Sequence, residues 1–374
     1  MVIKNLKIVT PNEVIPNGYL VFDTTIQEIG KGPYLGSEEA IDGLGKIAMP
    51  GFIDIHVHGS AGIDFMDAKE EDYAPVAESL YQEGVTTFLA TTLTSDFASL
   101  ERVCQTVAKA KEKVPSLGGI HLEGPYISEK YKGAQNPEYI RNPDLNEWNS
   151  LQTAAKGSIR YITLAPELGG ATEFIQELSQ QGVTVSAGHS DATFEQIESA
   201  IDKGLRNITH THNAMSPHHH RHPGIVTAAM YFDSLFTEVI CDKVHVCPET
   251  LKTFYKIVGP DRFIAITDAL KIKHTSIREF QLAGLDCIVK PDAAYLKSGP
   301  LAGSLLSMDQ ALRNLKEITH ASLCDLAKMT STNAARSLGL HQCGSLEKGK
   351  QADLVLLDEN LYVQNVYKAG KKVR

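Results

Sequence analysis

The chain has 374 residues, enough for one large α/β domain and a smaller one, and an ordinary folded composition of 43% hydrophobic and 22% charged residues. A formal net charge of -9 argues against general binding to nucleic acid, so an anionic substrate would need a local cluster of cations. No apolar run is long enough for a membrane span, the stretch Met1–Val14 lacks an apolar signal segment, and Cys104, Cys241, Cys247, Cys287, Cys324 and Cys343 form no C-x-x-C pair, which predicts a cytoplasmic protein with reduced thiols.

Residues 1–50 read as short strands and turns, in "LKIVTP", "GYLVFD" and "TIQEIG". Gly43, Gly45 and Ala48 have the G-x-G-x-x-A spacing of a dinucleotide loop, but Pro50 and a new strand follow where a helix would have to begin, so no such site is expected. Residues 344–374 have the same β-rich texture. The two ends together, 1–50 plus 344–374, are expected to form a small β-sandwich domain. Between 51 and 343, eight apolar runs alternate with amphipathic stretches: "FIDIHVH", "GVTTFLATT", "GGIHLEGP", "YITLAPE", "GVTVSAGHS", "RNITHTHNAM", "FTEVICDKVH" and "FIAITDA". In "DATFEQIESAIDKG", Phe194, Ile197 and Ile201 recur at helical spacing. Eight β/α units of this length fit a (β/α)8 TIM-like barrel better than an open doubly wound sheet.

Strand side chains alternate faces, so Ile53, Ile55 and Val57 share one face of the first run, and Asp54, His56 and His58 the other. On that run alone, a hydrogen-bonded polar core and a metal site are both open readings. Later runs end in the same chemistry: His121 and Glu123, then His189, then His210 and His212, then Asp268. Barrel enzymes build their sites at the C-terminal ends of strands, so these imidazoles and carboxylates would converge, and the mixture suits zinc, iron or a similar divalent ion.

The set "PGFIDIHVHG", "HLEGPY", "AGHS", "THTHNAM", "ITDA" and "LAGSLLSMDQA" resembles the N-acetylglucosamine-6-phosphate deacetylases of the amidohydrolase superfamily, and the likeness runs nearly end to end. The resemblance implies a primary metal held by Glu123, His189 and His210. Glu123 would stand where other amidohydrolases use a carbamylated lysine; the fourth run, "YITLAPE", offers no lysine. His56 and His58 would add a second position bridged by Glu123, giving one or two ions. Asp268 would move the protons; its plainer reading is a ligand or a strand cap. For an amino sugar phosphate, the resemblance implies Arg221 and His245, the latter in an Asp242-x-x-His245 turn, as phosphate contacts reaching across a homodimer interface. Asn213 and Ala214 would contact the phosphate or the sugar, and Leu301, Ala302 and Gly303 would line the pocket.

Two positions depart from the family. Gln135 follows "KGA" and Ala134 where a histidine is usual, and glutamine can donate a hydrogen bond but cannot carry that histidine's charge. Lys243 replaces a glycine. The expected reaction is hydrolysis of N-acetylglucosamine 6-phosphate to glucosamine 6-phosphate and acetate. The alternatives are an isomeric amino sugar phosphate, another N-acyl substrate, or an inactive metabolite-binding barrel. No nucleic acid or membrane partner is expected, and His218, His219, His220 and His222 read as an exposed loop.

Overall fold

The computed structural model describes residues 1–291 and 293–374. All eight apolar runs are strands: β1 (Phe52–Val57), β2 (Val85–Thr91), β3 (Leu117–Glu123), β4 (Ile159–Leu164), β5 (Thr184–Ala187), β6 (Leu205–Ile208), β7 (Phe236–Ile240) and β8 (Phe263–Ile266). They pair in chain order, each parallel to the next. A helix follows every strand, from Tyr73–Tyr81 after β1 to Met308–Thr319 after β8. The chain beyond β8 returns to β1, where the Asp268 N–H donates to the His56 carbonyl at 2.8 Å and the His58 N–H to the Ala269 carbonyl at 2.9 Å. The barrel therefore closes at the strands that carry His56, His58 and Asp268.

Alternation along β1 holds. Ile53, Ile55 and Val57 join the main core, which also holds Val76 and Leu80 of the first helix. Each such buried side chain contributes about 1.5–3 kcal/mol. The helix expected around Phe194 runs Phe194–Asp202 and starts in a capping box: Thr193 Oγ1 accepts from the Gln196 N–H, and Gln196 Oε1 accepts from the Thr193 N–H.

Strands from both chain ends share one eight-stranded mixed sheet, with Ile47–Pro50 between Val2–Val9 and Leu354–Leu357. The sheet buries a core of its own, separate from that of the barrel, in which the Phe22 and Tyr367 rings meet at 5.5 Å. Lys368 pairs with Asp353 at 2.8 Å and reaches Thr87 of β2 at 3.3 Å, an internal tie between sheet and barrel. The Gly43–Gly45 stretch is a turn into Ile47–Pro50, with no helix behind it.

A third sheet had no counterpart in the sequence reading. Glu279–Leu282, Leu285–Val289, Ala294–Leu296 and Leu301–Gly303 form an antiparallel meander between β8 and the last barrel helix. Its first turn, Ala283-Gly284, has φ of 47° and 79°, the left-handed pair that two-residue hairpins favour. Among the described residues no helix is long and apolar enough to cross a membrane. All six cysteines are free.

Candidate metal centre and active site

The candidate side chains sit where strands end and the backbone turns. His189, His210 and Asp268 have φ of 48°, 28° and 49°, a left-handed conformation that costs a non-glycine residue about 1–2 kcal/mol. Such strain persists where neighbours fix it. Here the Thr211 N–H donates to the Glu238 carbonyl at 2.7 Å, and the Ser304 N–H to the Asp268 carbonyl at 2.9 Å. Gly133, with φ of 57°, packs so near His189 that a Cβ there would lie 3.3 Å from the ring.

Glu123, His189 and His210 meet with one ligand atom each. Glu123 Oε1 is 3.2 Å from both His189 Nε2 and His210 Nε2, and the two nitrogens are 3.0 Å apart. Ligand atoms held about 2.0–2.1 Å from a tetrahedral ion lie about 3.3–3.4 Å from one another, so this triangle has the size of one tetrahedral face. The hydrogen bonding agrees. His189 Nδ1 is 2.9 Å from the Tyr131 carbonyl, which can only accept. In the neutral ring Nε2 is then a bare lone pair facing a carboxylate, an arrangement that calls for a cation between them.

His56, His58 and Asp268 form a second group. His58 Nε2 lies 3.1 Å from Asp268 Oδ1 and 3.4 Å from Glu123 Oε2; His56 Nε2 lies 3.4 Å from Glu123 Oε1 and 3.5 Å from Asp268 Oδ1. His56 Nε2 is buried without a hydrogen-bond partner although two carboxylates approach it. Both donor sets fit a divalent ion, and Glu123 faces both.

The field of the site is anionic. Burial works against the charge on Glu123, but the surrounding imidazoles, His56 first and then His189 and His210, hold its carboxyl well below the usual range. Burial likewise opposes ionisation of Asp268, and His56 and His58 hold it low. Burial pulls His56 towards neutrality, yet Glu123 and Asp268 raise it well above its ordinary value; His58 is raised in the same way. Burial, with the neighbouring His189, lowers His210.

Three residues that share these faces do not converge on the clusters. Asp54 is fully buried and accepts from Thr267 Oγ1 at 2.5 Å; burial pushes its pKa up to about 6. His121 is satisfied by the Ile55 carbonyl at 3.1 Å and Thr163 Oγ1 at 2.7 Å, and burial with the nearby His56 lowers it strongly. His212 turns away, its ring 4.9 Å from Phe254, and burial lowers it to about 4.

A cavity of about 330 Å³ opens over the clusters, with His58, Glu123, His189, His210 and Asp268 in its wall, a size suited to a small ligand. Ala134, Gln135, Asn213, Ala214 and His245 continue the wall, and Leu301, Ala302 and Gly303 close it. Asp242 stands behind His245, bonding its Nδ1 at 2.6 Å, and burial of His245 is outweighed by that carboxylate, so the imidazole is raised above its usual pKa. His245 thus stands in the cavity wall of its own chain. Arg221 lies in a separate hollow with Lys130, Asp191 and His219.

Gln135 is fixed at both ends of its amide: Nε2 donates to Glu123 Oε2 at 2.8 Å, and Oε1 accepts from the Thr94 N–H at 2.7 Å. Lys243 sits at φ of 70°, which explains why glycine suits the position, and its ammonium pairs with Glu317 at 2.8 Å, outside the cavity wall. Glu238 was missed by the sequence reading. It is fully buried in β7, and one of its carboxylate oxygens lies 3.1 Å from His56 Nδ1. The signal was there, since Glu238 is the only charged residue in "FTEVI".

The amidohydrolase family model matches residues 47–373. The chain belongs to the amidohydrolase family. This amidohydrolase is 40% identical over 352 residues to the N-acetylglucosamine-6-phosphate deacetylase of Lysinibacillus sphaericus, covering 93% of this chain and 91% of that one. It is 35% identical over 331 residues to the N-acetylgalactosamine-6-phosphate deacetylase of Escherichia coli O157:H7, with 87% of each covered. Among solved structures, a mutant N-acetyl-D-glucosamine-6-phosphate deacetylase of Mycobacterium smegmatis in complex with N-acetyl-D-glucosamine-6-phosphate aligns with a TM-score of 0.95, at 31% identity over 100% of this chain and 99% of that one.

Proposed function

We propose that the chain is a metal-dependent deacetylase that hydrolyses N-acetylglucosamine 6-phosphate to glucosamine 6-phosphate and acetate. The observation that carries this reading is the triangle of Glu123 Oε1, His189 Nε2 and His210 Nε2 in the wall of the cavity, beside Asp268, whose carboxyl is held low. Relatives of this activity, matched over most of their length, support the substrate. Glu123, His189 and His210 would hold the primary ion, zinc or iron by donor type, and His56 and His58 a second. A bound ion lowers the pKa of water towards neutrality and polarises an amide carbonyl.

The chain's own residues supply the rest. Asp268 accepts the proton of the attacking water and passes it to the departing nitrogen, which leaves readily only as an amine. The second hydrogen of the Gln135 amide and the Asn213 side chain face the bound substrate. His245, whose positive charge Asp242 favours, takes the phosphate, and Arg221 of a second copy adds its planar fork. We read the enzyme as a homodimer, in keeping with the position of Arg221 away from its own cavity, and as cytoplasmic, in keeping with six free thiols.

The test is acetate release by metal-quantified protein from N-acetylglucosamine 6-phosphate, its galactosamine isomer and the unphosphorylated sugar. Release is expected with the first and little with the last; no acetate from any phosphorylated sugar would overturn the reading. Gln135, which stands where the deacetylases usually have a histidine, and the N-acetylgalactosamine-6-phosphate relative favour a second reading, the galactosamine isomer as preferred substrate. The same panel separates the two.

Two smaller effects follow from the phosphate contacts. Arg221→Ala is expected to raise KM for the phosphorylated sugar by roughly 10- to 100-fold, the value of one or two hydrogen bonds between charged groups, with kcat nearly unchanged. Mixed with Asp268→Asn subunits, it should regain activity through hybrid dimers. For His245 the folded pKa is raised above its ordinary 6.5. Its charge is therefore present at and below that pH and lost as pH climbs through the raised value. KM for the phosphorylated sugar should rise on the alkaline side, above the phosphate's own ionisation near about 6. Asp242→Asn should move that rise to lower pH, and a pH series of KM reads both.

A further inference from the structure

We propose that Glu238 is a positioning residue that fixes which nitrogen of His56 faces the second metal position, and so decides whether that position can bind an ion. The inference rests on the metal-dependent reading above. Glu238 projects from the middle of β7, fully buried, below the floor of the site. Its carboxylate gathers three donors. One oxygen accepts from the Tyr161 hydroxyl; the other lies 3.1 Å from His56 Nδ1 and 3.3 Å from the His210 backbone nitrogen. It thus touches a ring from the second cluster and the backbone of a ligand in the first.

A carboxylate only accepts hydrogen bonds. The proton on a neutral His56 must therefore sit on Nδ1, leaving the Nε2 lone pair aimed at Glu123 and Asp268, where it has no hydrogen-bond partner. His121, next to it, shows the alternative: both its nitrogens are engaged by protein groups, and it offers no lone pair to the site. An amide in place of Glu238 has a single oxygen: turned to the Tyr161 hydroxyl, it sets its NH2 against both His56 Nδ1 and the His210 N–H; turned to His56 and His210, it accepts there without the carboxylate's charge. In the first arrangement the ring accepts at Nδ1 and carries its proton on Nε2, where an ion would have to bind; in the second it keeps its tautomer but loses the charge that makes its Nε2 a strong ligand. Tyr161 holds the far oxygen, so its removal loosens Glu238 without reversing the tautomer.

The experiment is zinc titration of the full-length protein against a chromophoric chelator, with zinc per chain measured by mass spectrometry. It compares wild type, Glu238→Gln, Tyr161→Phe, His56→Asn and the Glu238→Gln/His56→Asn double variant. Wild type should take two ions. Glu238→Gln should weaken one of them by about 10- to 100-fold, the usual effect of a lost partner behind a ligand, and leave the other near its original affinity. Tyr161→Phe should weaken the same ion less. In the His56→Asn background Glu238→Gln should add nothing. Long-range 15N spectra of the zinc-loaded wild type should show His56 protonated on Nδ1, a readout that survives even if Glu238→Gln does not fold. Two wild-type affinities in Glu238→Gln, or a His56 protonated on Nε2, overturn the inference. A wild type that takes a single ion also overturns it while leaving the reaction standing, whereas a wild type that takes none overturns the metal-dependent reading itself.

Discussion

Asp268→Asn is expected to lower kcat about 10²- to 10⁴-fold, the span that general acid–base groups supply, with KM within a few-fold of wild type. The side chain stands in the cavity wall, its Oδ1 3.1 Å from His58 Nε2. Asparagine keeps the shape and can still accept a hydrogen bond, but it cannot take a proton from water or return one to nitrogen. The fold should tolerate it, because the left-handed turn at 268 is held by backbone bonds to His56 and Ser304 rather than by the carboxylate. A group that acts only in the transition state lowers kcat and kcat/KM together. Steady-state acetate release gives both constants, and isothermal titration with uncleaved substrate shows whether binding survives. A variant that turns over at the wild-type rate would remove Asp268 from the chemistry. One that binds no substrate would make it a structural cap, the plainer reading of its place at a strand end.

The barrel was legible because each of its strands is a short apolar run with helical periodicity behind it, and because alternation in "FIDIHVH" separates two faces without knowledge of the fold. The clusters were legible because barrel strands end on one side, so His189, His210 and Asp268 had to meet. What spacing could not do was sort histidines of equal chemistry. The rings of His56 and His121 lie 4.6 Å apart, yet of the two only His56 is left with an unpartnered nitrogen, since the Ile55 carbonyl and Thr163 absorb both nitrogens of His121. His212 has the alternation of His210 but not its direction, because φ of 84° swings it onto Phe254. The left-handed turns at the site were hidden for a related reason: no glycine marks them at His189, His210 or Asp268. Glu238 was readable as a charge in an apolar run, but its role depends on what lies across the barrel. Tyr161 and His56 are 77 and 182 residues away from it.

Glu123→Gln carries the other large expected effect, on ion content before activity. Glu123 has one oxygen shared by His189, His210 and His56 and the other by His58 and Gln135. Removing one member of a buried charged set costs about 3–5 kcal/mol, so the primary ion should bind roughly a hundredfold to a few thousandfold more weakly. Gln135 argues that the variant keeps its shape, because its Nε2 donates equally well to an amide oxygen. That oxygen would then be drawn towards Gln135, leaving an NH2 group facing the ring nitrogens of His189 and His210, where it stands in the way of a cation. The expected protein is folded, with an unchanged circular dichroism spectrum, little zinc or iron after gel filtration, and acetate release that returns only in part at high added metal. Full metal content with normal turnover would mean that the triangle of Glu123, His189 and His210 is a hydrogen-bonded polar core after all. Loss of metal together with a His56→Asn variant that keeps one ion would place the primary ion at Glu123 and leave His56 and His58 to the second.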